Sequence, residues 1–232
     1  MTAYGPTHLA ALAVWAVGMV LVIRLGVRDR RQAGPTRLSR AFAVVALVGT
    51  LFFQVYDLAR HFDLVTSLPL QLCDVAWLFS VVALWTHRRY PTAITWFWGT
   101  LTLIALFAPA TKDFPAMRYF GFWTMHITIV WAAFYLVVGR GLVPDWWGYR
   151  RAIDTTLVWG ALTYVFNVVF DTNYGFLMRP SRGSPQEWLG AWPWYLVWQL
   201  VIGLAVWALL VLLLGRLYGR SQEGSTREPV SS

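Results

Sequence analysis

The sequence predicts an all-α, polytopic membrane protein with seven transmembrane helices, its N-terminus outside and its C-terminus inside. Three observations carry that reading. The first is composition: of 232 residues 58% are hydrophobic and only 13% charged, with a mean hydropathy of +0.52. Soluble domains carry about a quarter charged residues, so much of this surface faces lipid rather than water. The second is a series of seven long apolar stretches, each near the roughly 20 residues that a helix needs to cross about 30 Å of hydrocarbon. The third is the distribution of basic residues. Fourteen of the 19 Lys and Arg flank the first, third and fifth loops and the tail, with Arg28, Arg30, Arg31, Arg88, Arg89, Arg140 and Arg150 among them. The other side holds Arg60, Lys112, Arg118, Arg179 and Arg182. Basic loops stay inside, which fixes the orientation.

The first helix is expected over 8–27. It precedes its arginines rather than following them, so it reads as an uncleaved signal anchor. After Gly34-Pro35 the second spans 40–58 and the third 67–86; the turn from His87 to Pro91 leads into the fourth at 93–109. Pro109 to Pro115 separates it from the fifth at 118–138, and Gly139 to Asp145 separates that from the sixth at 151–170. The seventh spans 193–214 and opens on Trp192-Pro193-Trp194-Tyr195, where a proline in the first turn loses no hydrogen bond. Residues 1–216 form one membrane domain, and 217–232 read as a polar, disordered cytoplasmic tail.

Composition also excludes functions. A single cysteine rules out an internal disulfide framework and a cysteine-built metal site. The net charge of +8 is accounted for by orientation, so nucleic acid is not an expected partner. No Walker loop, dinucleotide fingerprint, HExxH or Gly-x-Ser-x-Gly elbow occurs, and no two histidines share a helix face. No cofactor and no metal are expected. The expected partners are membrane lipids and a lipid or small-molecule ligand, with the oligomeric state open.

Polar residues inside such helices are costly in hydrocarbon and normally face the bundle interior. Here they gather in the outer half. His8 opens the first helix; Gln54 and Asp57, followed by His61, end the second; Gln71, Cys73 and Asp74 lie in the third; His126 lies in the fifth; and Asn167, Asp171 and Asn173 end the sixth. At 1.5 Å per residue, Cys73 lies roughly 9 Å below a helix start at Ser67 and His126 roughly 12 Å below Arg118. Asp57 and His61, four apart, are spaced to pair. Any one of these groups has an alternative reading as interhelical glue, worth about 0.6 to 2 kcal/mol per hydrogen bond. Their common depth favours a site. A cysteine within reach of a histidine is a thiolate nucleophile with its base, so Cys73 is the candidate nucleophile and His126 the base. Asp74, Asn167 and Gln71 are candidates to orient the base or stabilise an oxyanion. The tryptophans read first as interfacial belt and packing.

Several stretches are familiar: GPTHLAAL, SLPLQLCDVAWL, YFGFWTMHI, NVVFDTNYGFL and GAWPWY. Together they resemble the YwaF-like bacterial integral membrane proteins over nearly the whole transmembrane region. That family is distantly similar to a vertebrate multi-pass acyltransferase implicated in ether-phospholipid remodelling through a cysteine. The resemblance implies a bacterial plasma-membrane location and singles out His8, Gln71, Cys73, Asp74, His126, Asn173 and Tyr174, with Cys73 as nucleophile and His126 as its partner. Gln71 stands where many relatives carry His, and Ile127 where they commonly carry Gly. The leading functional expectation is a lipid-modifying enzyme, acyltransferase- or lipase-like, with an outer-leaflet polar site. The alternative is a seven-helix receptor or small-molecule binding protein without catalysis, and after it a transporter.

Overall fold

A computed structural model describes residues 4–109, 111–181 and 184–225. Among them the regular structure is helical, without a strand. The helices are α1 (Pro6–Asp29), α2 (Arg37–Arg60), α3 (Leu72–Thr86), α4 (Arg89–Phe107), α5 (Met117–Phe134), α6 (Trp146–Phe170) and α7 (Trp194–Ser225). A π-helical turn, Tyr135–Gly139, extends α5, and two 3-10 turns, Tyr174–Phe176 and Pro185–Leu189, lie between α6 and α7. Six helices are long and apolar enough to cross a membrane, and α3 is the shorter one with 15 residues.

The element borders differ from expectation where capping chemistry decides them. The third helix does not begin at 67. Pro69 disfavours helix at the residue before it, and Gln71 is the N-cap, its backbone N–H donating to Asp74 Oδ2 at 2.9 Å. This is one half of a capping box, and it starts the helix at Leu72. Cys73 therefore sits in the first turn of α3 and not two turns below its start. The fourth helix begins earlier than 93, because Pro91 falls in the first turn of α4, where a missing N–H costs nothing. The sixth begins at Trp146, since Asp145 caps it by accepting Gly148 N–H at 3.1 Å. At the other end α7 runs on through the expected border at 216 to Ser225, and the rest of the expected polar tail, 226–232, lies outside the described residues.

α4 and α5 are the centre of the bundle. In each, 61% of the apolar window is buried, against 11% in α6 and in α7. The core packs Trp77, Ile94, Phe97, Trp98, Ile129 and Trp207 together. The outer faces are apolar as well: Val17, Val45, Val48, Leu162, Val165 and Val169 are each at least 60% exposed. Apolar surface of this extent marks a membrane-facing wall, and the chain is a multi-pass membrane protein. With lipid outside, helices gain little from apolar attraction alone, and small residues at crossings let backbones touch. A Cβ on Gly26 of α1 would lie 2.7 Å from Gly139 Cα, and Gly18 is filled by the ring of Trp131, whose indole N–H donates to the Trp15 carbonyl at 2.9 Å.

One end of the bundle is closed by a buried knot. Asp29 Oδ2 accepts the hydroxyls of Thr36 (2.6 Å) and Tyr135 (2.7 Å). The Arg140 guanidinium donates to the carbonyls of Asp29, Gln32 and Gly34, which holds the α1–α2 turn. His87 caps α3 beside this knot in the left-handed region, at φ 52°. Burial first, then the Arg140 charge and more weakly Arg40, lower its imidazole to about 4, against opposing effects of the Gly34 backbone and Asp29. Its ordinary value is about 6.5, so the unfolded chain takes up the proton more readily. The His87 contribution to stability is complete above about pH 6.5 and is lost as the pH falls through about 4. Replacing His87 with Asn, which tolerates the same backbone region, is expected to flatten the fall in thermal midpoint of the detergent-solubilised protein between pH 7 and pH 4.5. An unchanged acid slope would show that His87 does not titrate in this window.

Candidate functional site

Because the helices alternate in direction, the starts of α1, α3, α5 and α7 meet the ends of α2, α4 and α6 at the end opposite the arginine knot. His8, Asp57, Gln71, Asp74, Asn173 and Tyr174 all belong to this end, with Cys73, His126 and Asn167 just inside it. Most of them are already committed to holding loops.

His8 is fully buried and both ring nitrogens are used. Nδ1 accepts the Tyr4 N–H at 2.8 Å, which leaves Nε2 as the protonated nitrogen, donating to the Leu106 carbonyl at 2.8 Å. The residue clamps α1 to the end of α4. Asp57 does not pair with His61. Arg118, across the bundle on α5, takes both carboxylate oxygens at 2.7 and 3.1 Å, and the Ser67 hydroxyl lies 3.1 Å from Oδ2. A guanidinium offers two parallel donors to a carboxylate, so Arg118 outcompetes a histidine one turn away; His61 instead lies edge-on to Tyr56.

Gln71 and Asp74 share the capping contact already described, and Gln71 Oε1 also accepts the Gly175 N–H at 2.8 Å. Asn167, fully buried, donates to the Tyr174 carbonyl at 2.9 Å and accepts from the Thr172 hydroxyl and the Tyr174 N–H. Asn173 likewise accepts the Met178 and Arg179 N–H groups and donates to the Arg179 carbonyl. Asp171 is the left-handed cap of α6. Tyr174 reaches across to the α2–α3 segment: its hydroxyl donates to the Leu64 carbonyl at 2.8 Å and accepts the Leu68 N–H at 2.9 Å. Burial raises the phenol's pKa, so it stays protonated and able to donate.

Two candidates remain uncommitted. Cys73 is partly buried and packed against the core cluster, and among the described residues its sulfur has no side-chain hydrogen-bond partner, only the backbone N–H groups of Cys73 and Asp74 beside it. His126 is buried, with its ring stacked on Phe122 at 4.0 Å between centroids. Its Nδ1 lies 2.8 Å from the Phe122 carbonyl. A carbonyl can only accept, so the proton is on Nδ1 and Nε2 carries the lone pair. No hydrogen bond joins Cys73 to His126. They sit on neighbouring helices, α3 and α5, that run in the same direction. The first-turn amides of Leu72 and Cys73 have no α-helical acceptor, since their i−4 positions, Leu68 and Pro69, precede the helix.

Sequence reasoning missed Arg118, which it read only as an orientation charge, and Ser67, a buried hydroxyl that also accepts the Asp63 N–H at 3.0 Å. The charge complement of Asp57 was the available signal for the first; nothing marked the second. Among the described residues no three His, Cys, Asp or Glu gather as metal ligands. Removing the Tyr174 hydroxyl leaves a carbonyl and an amide unpaired near the α2–α3 segment, each at a cost of about 1–3 kcal/mol when buried. Tyr174→Phe is therefore expected to lower the thermal midpoint and to speed protease cleavage within 61–71. Unchanged cleavage there would show that the phenol does not hold this segment.

The family model that matches is that of the TMEM164 family, over residues 3–211. No curated protein and no solved structure matches the chain. The matched region takes in α1 to α6, the first part of α7 and each of the polar-end residues from His8 to Tyr174, and the chain belongs to the TMEM164 family.

Proposed function

We propose that the chain is a membrane enzyme that moves acyl groups of lipids, with Cys73 as nucleophile and His126 as its base. The observation that supports this most is the tautomer of His126. Its Nδ1–H is fixed on the Phe122 carbonyl, so Nε2 is left as an unpaired base, whereas His8 and the carboxamides of Gln71, Asn167 and Asn173 at this end are bound up in holding loops. The proposed step begins with transfer of the Cys73 thiol proton to His126 Nε2, across one water or after closure on substrate. The thiolate attacks an ester carbonyl; a C–S bond forms and the carbonyl electron pair moves to oxygen. The amides of Leu72 and Cys73 are placed to receive that oxyanion. Collapse breaks the ester C–O bond, His126 returns its proton to the leaving alkoxide, and the acyl group passes to an acceptor hydroxyl or to water.

The proposal includes seven spans, with α3 as the shortest, and an N-out orientation that opens the site to the outer leaflet. On the YwaF-like resemblance the membrane is a bacterial plasma membrane. A second reading, ligand binding without turnover, is favoured by the lack of a direct hydrogen bond between Cys73 and His126.

Full-length protein in nanodiscs, given a phospholipid with a clickable acyl chain, is expected to form a hydroxylamine-sensitive adduct on its sole cysteine. Cys73→Ala abolishes the adduct, and His126→Gln slows it by about 10²-fold or more, the usual scale of general-base loss. Wild-type protein that labels no better than Cys73→Ala would overturn the enzyme reading in favour of binding alone.

A further inference from the structure

A threonine on a helix can return its hydroxyl to the carbonyl four residues back. Thr86, Thr102, Thr128, Thr155 and Thr156 all do so here. Thr50 of α2 does not. It is 3% exposed and its Oγ1 is enclosed without a partner. The reason lies in its own helix: the carbonyl it would use belongs to Ala46, and that oxygen accepts the Trp77 indole N–H at 2.9 Å. With the helical N–H of Thr50 on the other lone pair, the Ala46 carbonyl is full. The Trp77 contact thus holds the Thr50 hydroxyl off its backbone. A buried hydroxyl left unpaired is costly. Thr92 and Thr95 share the unpaired state, but they lie in the first two turns of α4, far from the polar end.

The helix register shows what Thr50 faces. α2 and α3 are antiparallel, with the Ser39 hydroxyl on the Leu84 carbonyl at 2.7 Å and the Trp77 indole on the Ala46 carbonyl. Seven residues forward in α2 is seven back in α3. A further helical turn, four residues along each helix, keeps both on the contacting faces and sets Thr50 opposite Cys73. On α5 the same level is marked by Thr124, which Gly49 approaches. This register puts the one buried, unpartnered hydroxyl of α2 at the level of the sole cysteine, where α2, α3 and α5 pack against one another.

We infer that the Thr50 hydroxyl is a substrate-contacting hydrogen-bond donor, kept unpaired by Trp77 to bind the carbonyl oxygen of a lipid ester while Cys73 attacks it. The inference rests on the acyl-transfer reading of Cys73. As the C–S bond forms and the carbonyl electron pair shifts onto oxygen, that oxygen becomes the better acceptor, and the Thr50 O–H strengthens its bond to it. The hydroxyl neither gains nor loses a proton.

The test compares two reagents on the sole cysteine of the full-length protein in nanodiscs. p-Nitrophenyl octanoate acylates through an oxyanion, whereas iodoacetamide alkylates by direct displacement without one. Thr50→Val is expected to lower the acylation-to-alkylation rate ratio about three- to tenfold, the worth of one hydrogen bond, and Thr50→Ser to restore it. Trp77→Phe is expected to reproduce the loss with Thr50 in place, because the Ala46 carbonyl is then free to capture the hydroxyl. The double variant Thr50→Val with Trp77→Phe should be no worse than either alone. A ratio unchanged in Thr50→Val, or acylation and alkylation slowed equally, overturns the role of Thr50. A wild type that reacts with the activated ester in this Thr50-dependent way but takes no acyl group from phospholipid overturns the lipid acyl-transfer reading and leaves the Thr50 contact standing.

Discussion

Inside hydrocarbon no water is available to pair a stray donor or acceptor, so each polar group must be satisfied within the protein or be held at a cost of several kcal/mol. That constraint organises this molecule. The helices meet it for most of the backbone. What remains is at their ends, where four N–H and four carbonyl groups per helix lack intrahelical partners. At the polar end the side chains that a sequence reader marks as chemistry are the ones that meet this need. Asn167 serves three partners around the α6 cap, Asn173 serves three in the next turn, and Tyr174 bridges to an amide and a carbonyl of another loop. At the arginine end Arg140 does the same for the turn after α1.

The seven helices were legible in the sequence because their signal is composition over a long window, which tertiary context does not alter. Their borders were less legible where one residue decides them. Pro69 and the Gln71–Asp74 cap cut the third helix to 15 residues, although the hydropathy of 67–71 continues without a break. The polar residues of this end were legible by type and depth but not by the partners they hold. A depth argument places Asp57, Asn167 and His126 together and says nothing of which are already paired. Pairing depends on partners distant in sequence, such as Arg118 for Asp57, 61 residues on, and Leu106 for His8, 98 residues on. No periodicity encodes those separations.

The distinction between paired and unpaired groups is also what separates scaffold from candidate chemistry. A group whose lone pairs and protons are all used cannot accept a proton or bind a substrate without breaking what it holds. By that criterion His8 is scaffold and His126 is not, though both are buried histidines at the same end. In His8 each ring nitrogen is engaged. In His126 one is engaged with its own helix and the other is open. The stack on Phe122 fixes the ring plane without using either nitrogen.

The shortness of α3 follows from the same logic and has a chemical consequence. Had the helix begun at Ser67, Cys73 would lie in its second turn, its N–H given to the Pro69 carbonyl and its sulfur surrounded by satisfied backbone. Starting at Leu72 places the sulfur beside amides that have no helical acceptor. The segment before it is then free to be irregular, and it is irregular at a cost: Ser67, Tyr174 and the Trp159 indole, 3.1 Å from the Leu70 carbonyl, are each spent on pairing its backbone. A helix start set inward by one side chain of the segment itself and two from elsewhere in the fold is an expensive way to make a loop. It leaves the Cys73 thiol in a first turn whose amides have no helical acceptor.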